Sequence, residues 1–169
     1  MSSAFVHLHV HSEYSILDGA CRIPALVEKA ERLEMPAVAL TDHGSLAGMV
    51  ELYREARKRG VKPLIGCEAY VADDRLVQSK GYAHLTLLAE SNEGHANLIK
   101  LCSLGYLEGY YYKPRVDWEL LERYSKGLVA LSGCLSGRVS RALAEGRPKD
   151  ARSDLDRLAQ IFGRDSTYV

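Results

Sequence analysis

The stretch HLHVHSEYSILDG, residues 7–19, decides how the rest of the chain is read. His7, His9 and His11 alternate with Leu8 and Val10. In an extended strand, successive side chains point to opposite faces. A strand over FVHLHV (5–10) would therefore carry imidazoles on one face and Val6, Leu8 and Val10 on a buried one. Histidines stacked on one side of a buried strand call for something to face, and the rest of the chain supplies candidates.

Outward from that strand, strand-like and helical runs alternate. RIPALVEKAERLEM (22–35) spaces Leu26, Ala30 and Leu33 as a helix does, with Pro24 near its start, where proline is tolerated. AVAL (37–40) is a second strand. LAGMVELYREARKRG (46–60) is a helix with a basic last turn and Gly60 at its end. PLIGCEAYV (63–71) is a third strand. This β-α-β-α-β order predicts a parallel sheet covered by helices. HLTLLA (84–89) and GLVALSG (127–133) are further strands. Helices are expected over 92–107, 116–124, 136–145 and 149–162, and DSTYV (165–169) reads as the opening of a sixth strand, which suggests a truncated α/β barrel. DDRLVQSKGYA (73–83) is expected to be an exposed loop.

The 169 residues suffice for one domain with a real core, and 47% hydrophobic with 26% charged residues is globular composition. Lys plus Arg number 22, as do Asp plus Glu, so the formal net charge is zero. That excludes a basic protein holding duplex DNA by field alone. No apolar run approaches membrane-spanning length, and MSSAFVHLHV lacks the form of a signal peptide, so no membrane is expected and the cytoplasm is the expected location. Cys21, Cys67, Cys102 and Cys134 form no CxxC pair, and a reducing compartment is expected for them. Cys21 and Cys102 read as core residues, and Cys67 as facing away from its neighbour Glu68.

Sites in parallel α/β folds gather where strands end. The first strand delivers His9 and His11, and the second runs into TDHG (41–44), with Asp42 and His43. The third carries Glu68 inside an apolar run, and Asp18 lies in the turn after the first strand. Imidazole and carboxylate are the ligands that zinc, manganese and iron take. Any one of these residues could be a hydrogen-bonded core or edge residue; together they predict a metal cluster. Cys134 in LSGCLSG would suit a soft or borderline ion as thiolate. His7 and Asp42 are expected to stand behind the ligands and orient them. GYYYKPR (109–115) offers Tyr111, Lys113 and Arg115 as single-stranded DNA contacts, or equally a surface packing on another domain.

HLHVHS, TDHG, GCEAY, AHLTLLAES and LSGCLSG together resemble the polymerase and histidinol phosphatase (PHP) domain family. EYSILDGA, MPAVALTDHGSLAGMVELY, GVKPLIGCEAYVA and KPRVDWELLERYSKGLVALSGC resemble its branch at the N-terminus of bacterial replicative DNA polymerase alpha subunits. The resemblance covers essentially residues 1–169. It implies a distorted (β/α)7 barrel, here truncated at its C-terminal side, and up to three divalent ions, zinc, manganese or iron. The implied ligands are His9, His11, Asp18, His43, Glu68, His84 and Cys134. A final Asp-x-His ligand pair has no counterpart before Val169. His84 is anomalous, since it opens its strand where a ligand should close one. The implied activity is a metal-dependent 3′→5′ exonuclease that activates water without a protein nucleophile. The implied partners are DNA, the remaining domains of the alpha subunit, the sliding clamp and other replisome subunits. The alternatives are a silent, metal-bound scaffold of the polymerase, and a small phosphoesterase of the histidinol phosphatase type.

Overall fold

A computed structural model of the chain describes residues 5–169. The elements run α1 (Ile23–Arg32), β1 (Ala37–Leu40), α2 (Met49–Lys58), β2 (Lys62–Val71), β3 (Ala83–Ala89), α3 (Asn92–Leu107), β4 (Tyr110–Tyr111), β5 (Lys113–Val116), α4 (Trp118–Arg123), β6 (Leu128–Leu131), α5 (Arg138–Ala144), α6 (Pro148–Phe162) and β7 (Thr167–Tyr168). The expected α/β class holds, in a mixed sheet ordered β4-β5-β2-β3-β6-β7 with β1 also on β2.

β2 is the axis of the sheet. Along one edge it takes β1 in parallel at Lys62–Ile65, and β5 in parallel at Tyr70 and Val71. Its other edge takes β3, and here the direction reverses: β3 is antiparallel, pairing Tyr70 with His84 and Gly66 with Leu88. β6 is antiparallel to β3, and β7 runs parallel to β6, so DSTYV does form a strand. The reversal settles the anomaly at His84. The start of an antiparallel strand lies beside the end of its neighbour, so a residue that opens β3 sits where β2 closes.

The expected first strand does not form a ladder. Residues 5–11 run beside β1, with Ala39 N donating to His7 O at 2.9 Å and Thr41 N to Val10 O at 2.8 Å. Val10 N donates not to a carbonyl but to Thr41 Oγ1, at 2.8 Å, and the chain bends at His9. That side-chain acceptor interrupts the regular pairing. The segment lies beyond β1, and its apolar side is correspondingly less covered than expected: Val6 and Val10 are half-buried and Leu8 is exposed.

Strand alternation sorts the two faces of the sheet. Cys67, Ala69 and Val71 of β2 join Leu85 and Leu87 of β3 and Leu128 and Ala130 of β6 in one core, closed by Leu98 and Leu101 of α3, Leu120 and Leu121 of α4 and Leu158 of α6. Val38 and Leu40 of β1 form a second core with Ile23 and Val27 of α1 and Leu52 and Ala56 of α2. Ile65 packs against both, so the two cores share a face. The opposite face of β2 and β3 carries Glu68, Tyr70, His84 and Thr86, and it is there that the polar residues gather.

Residues 73–82 form a loop, as expected, while Ala83 already opens β3; the loop is pinned by Arg115 beneath it and by its own Arg75. Arg115, 1% exposed, donates to the carbonyls of Arg75, Val77, Ser79 and Gly109 at 2.6–3.0 Å. Arg75 reaches Asp117, Glu108 and Glu119, while Asp117 also caps α4 by accepting from Leu120 N. Removing the Arg115 guanidinium strands the carbonyls of the buried Arg75 and Gly109, at roughly 1–3 kcal/mol each, and loosens those of Val77 and Ser79. R115M should therefore lower stability by at least roughly 3 kcal/mol in urea unfolding, and limited proteolysis should open the 73–82 loop first. A variant as stable as the parent would show that the carbonyls are satisfied some other way.

Candidate metal centre

The site is built outward from Glu68. Its side chain is 1% exposed and lies on the polar face of β2. Beyond β1 the chain continues along the same edge of β2 as TDHG. Glu68 N donates to Asp42 O at 3.1 Å, and Gly44 N to Glu68 O at 2.9 Å. This bridge puts His43 next to Glu68 on the same face. Gly44 then turns the chain away with φ +59°, a conformation glycine adopts without strain, and a Cβ there would lie 2.6 Å from Pro114 Cγ.

Three imidazoles reach the Glu68 carboxylate. His9 Nε2 and His11 Nε2 stand 2.8 and 2.6 Å from Oε2, and His84 Nδ1 stands 2.7 Å from Oε1. His43 Nε2 is 2.9 Å from Asp18 Oδ2, which also lies 3.5 Å from His11 Nδ1. Cys134 Sγ stands at the rim, 3.7 Å from both Glu68 Oε1 and His84 Nδ1, on a loop drawn in by the bond from His84 N to Ser136 O. All seven residues expected as ligands thus converge.

Three overlapping groups offer ligand atoms within 4.8 Å of one another: His9, His11 and Glu68; His11, Asp18 and His43; His43, Glu68 and His84. Glu68, His11 and His43 are each shared by two groups. His43 Nδ1 is buried without a hydrogen-bond partner among the described residues, 3.6 Å from Glu68 Oε2. A buried imidazole nitrogen left unpaired beside a carboxylate is an open ligand position. The donor set, imidazole and carboxylate with a thiol at the rim, fits zinc, manganese or iron.

The electrostatics follow from packing. Burial alone would push the Glu68 carboxyl up, but hydrogen bonds from His11, His84 and His9 outweigh it and hold it far below the usual carboxylate range. The bond to Glu68 raises His11 against the opposing effect of its burial. Burial lowers His43, which Asp18 and Glu68 offset only in part. Burial pushes Asp18 up, and its bond to His43 reverses that into a net lowering.

Asp42 has a different task from the one expected. It touches no imidazole, because its oxygens are taken by Ser12 N at 2.6 Å, Ser12 Oγ at 2.8 Å and Ser15 Oγ at 2.8 Å. It locks the backbone that follows His11 and the turn that leads to Asp18. Ser15 Oγ also accepts from His43 N at 3.1 Å, and Gly19 packs so close that a Cβ would lie 1.8 Å from Ser12 O. His7 is exposed, edge-on to Phe5 at 4.8 Å, and does not join the cluster, because the bend at His9 breaks the alternation. Cys21, expected in the core, is exposed; Cys67 is buried on the far face and Cys102 packs against the core beneath it.

The expected DNA contacts divide. Arg115 is removed from that role, since its guanidinium is buried and occupied by carbonyls. Tyr111 is half-buried and packs edge-on to Tyr112 at 4.8 Å. Lys113 stands beside the cluster, its Nζ 5.3 Å from the centre of the Tyr70 ring. Four residues of the site have no place in the sequence motifs: Ser12 and Ser15, and the two tyrosines that stack on imidazoles. Tyr70 stacks on His43 at 5.5 Å and 12°, and Tyr82 on His84 at 6.0 Å and 7°. Tyr70 was findable, since it lies two residues from Glu68 on the same face.

Two outcomes are expected. Asp42→Ala should cost roughly 2–4 kcal/mol of stability and weaken zinc binding about 10–100-fold, read by denaturation and competition with a chelating dye; unchanged zinc affinity would mean that the loop holds without it. Metal must displace the proton on His11, whose pKa is raised, so zinc affinity should already fall above pH 6.5 and continue falling in acid. A titration flat between pH 8 and pH 6 would contradict this.

Residues 7–169 match the family model described as PHP domain. The chain is 45% identical to the DNA polymerase III subunit alpha of Borreliella burgdorferi over 170 residues, covering 96% of this chain and 15% of that protein. It is 46% identical to that of Deinococcus radiodurans, covering 94% and 13%. It thus spans about one-seventh of the length of these relatives. Among solved structures, a candidate metal-dependent phosphoesterase from Bifidobacterium adolescentis superposes with a TM-score of 0.45 at 22% identity, over 60% of this chain and 33% of that one. A match that begins at the first histidine of the opening motif and runs to the last residue places this chain in the PHP domain family.

Proposed function

We propose that residues 1–169 fall within the PHP domain of a bacterial DNA polymerase III alpha subunit, and that the domain is a metal-dependent phosphodiesterase removing nucleotides from a DNA 3′ end. The observation that carries the reading is the buried Glu68 carboxylate, whose two oxygens face different histidines, beside the unpaired Nδ1 of His43. That is a carboxylate suited to be shared by two ions. His9, His11, Asp18, His43, Glu68, His84 and Cys134 would hold up to three divalent ions. Such ions supply Lewis acidity toward a phosphate oxygen and make a water acidic near neutral pH.

The chain's own residues do the rest. In the metal-free chain the histidine hydrogen bonds hold the Glu68 carboxyl well below the usual carboxylate range, so it is ionised before any ion arrives. Asp42, through Ser12 and Ser15, fixes the turn bearing Asp18, and the Tyr70 and Tyr82 rings hold His43 and His84 in plane. Lys113 stands where it can draw in the phosphate. The proposed partners are the DNA 3′ end and the remaining domains of the alpha subunit, with the sliding clamp and other replisome subunits reached through those domains. The cytoplasm is the proposed place of work, and no described helix is long and apolar enough to cross a membrane.

The test is metal content followed by turnover. The purified chain, stripped and reloaded, should hold roughly two or more ions and shorten a 5′-labelled oligonucleotide from its 3′ end. Asp18→Asn should reduce that rate by at least about 100-fold. Tight metal binding with a raised melting temperature and no cleavage would make the site a scaffold. Preferential turnover of histidinol phosphate would make it a monoesterase.

A further inference from the structure

A cavity of about 230 Å³ opens directly beside the histidine cluster, with Asp18 and His43 in its wall. Tyr70, Tyr106, Tyr110 and Tyr112 form one aromatic side of that wall, with Lys113 and Pro114, and the turn from Tyr14 to Leu17 forms the other. Tyr106, Tyr110 and Tyr112 are 51%, 60% and 65% exposed, so this ring cluster is not core. The Tyr106 and Tyr110 rings lie nearly parallel, 6.1 Å apart at 17°. Tyr112 holds φ +59°, a left-handed conformation that is uncommon for a bulky residue and clusters at ligand-contacting positions.

Two lysines flank the rings. Lys113 Nζ sits 5.3 Å from the Tyr70 ring centre, and Lys80 Nζ 4.6 Å from that of Tyr112. Among the described residues, the lysines engaged in ion pairs are Lys58 and Lys126, so both of these cations are free. An aromatic slot with free cations at its edge matches a planar ring that carries an anion.

We infer that this cavity is a stacking subsite for one unpaired nucleobase of DNA, with Lys113 on its phosphate. The inference rests on the phosphodiesterase reading, which puts a scissile phosphate at Asp18 and His43. The cavity is smaller than the roughly 300–1,000 Å³ of drug-sized sites, so it admits a single base and not a pair. A base already stacked and paired in a duplex must leave the helix to enter, which costs least at a mismatched or frayed end. The subsite therefore selects such ends by geometry, without reading sequence.

The test separates base recognition from metal chemistry. Binding of a labelled oligothymidylate, and of an abasic strand of equal length, is measured by fluorescence anisotropy in EDTA. The parent chain should bind the thymidylate roughly tenfold more tightly than the abasic strand. Tyr110→Ala and Tyr112→Asn should erase that preference, Tyr112→Phe should keep it, and Lys113→Gln should weaken both ligands. Asparagine is chosen because it tolerates the left-handed backbone. Equal affinity of the parent for the two strands overturns the inference whether or not any variant folds, and leaves the tyrosine face to a protein contact. Metal-dependent hydrolysis of bis(4-nitrophenyl) phosphate is read in parallel. Base preference without hydrolysis sinks the phosphodiesterase reading and keeps the subsite; hydrolysis without base preference sinks the subsite alone.

Discussion

A carboxylate withdrawn from water must find positive partners, because an uncompensated buried ion costs several kcal/mol even after relaxation. Glu68 is almost wholly withdrawn, and its partners come from three separate parts of the chain. His9 and His11 arrive from the segment beyond β1, His84 from the start of β3, and His43 stands close by on the extension of β1. The same arrangement that neutralises Glu68 therefore ties together the N-terminal segment, β2, β3 and the loop bearing Cys134. In a folded chain without metal, the imidazoles supply that compensation as hydrogen-bond donors. Under the metal reading, the ions would take over the positive role and release the imidazole nitrogens as ligands. The geometry serves both states because donors and ligands are the same atoms.

Convergence of this kind needs a particular sheet. β1, β2 and β6 point their C-terminal ends to one rim, which is where parallel α/β folds gather polar residues. A fourth parallel strand would have carried His84 to the opposite rim. Reversing β3 brings its first residues back, and the short 73–82 connection makes that reversal affordable. Such a connection is too short for the helix that a parallel crossover needs. Arg115 and Arg75 hold this loop by its carbonyls and by three carboxylates, so the reversal is a fixed feature of the architecture.

Much of this was legible in the residues. The helices over 92–107 and near 148–162 follow from apolar spacing, and the strand-end pattern alone points to six of the residues the fold brings together, His9, His11, Asp18, His43, Glu68 and Cys134; His84 comes only with the family resemblance. What sequence could not reveal was direction and partner choice. Alternation says which face a residue takes, not whether its strand runs up or down, so β3 looked parallel and His84 looked misplaced. Asp42 looked like a group orienting histidines because it neighbours His43. Its oxygens instead go to two serines 27 and 30 residues away in sequence, a pairing that only the folded turn creates. Arg115 looked like a nucleic-acid contact because basic residues beside tyrosines are usually exposed. Four carbonyls facing inward gave it a better use.

The fate of the arginines also bears on how nucleic acid would be held. Formal net charge is zero, Arg115 is sealed in the fold, and Arg75 is neutralised by three carboxylates. Among the described residues, Lys113 beside the cluster and Lys80 over the Tyr112 ring have no carboxylate partner. A protein that neutralises many phosphates loses affinity steeply with salt, in proportion to their number. A site with two lysines can neutralise few, so most of its affinity must come from elsewhere. Ring stacking, which screening by salt barely touches, is the contribution that the exposed tyrosines can make. Under the phosphodiesterase reading, local contact at one terminus is then the mode of binding these residues favour over grip along a duplex.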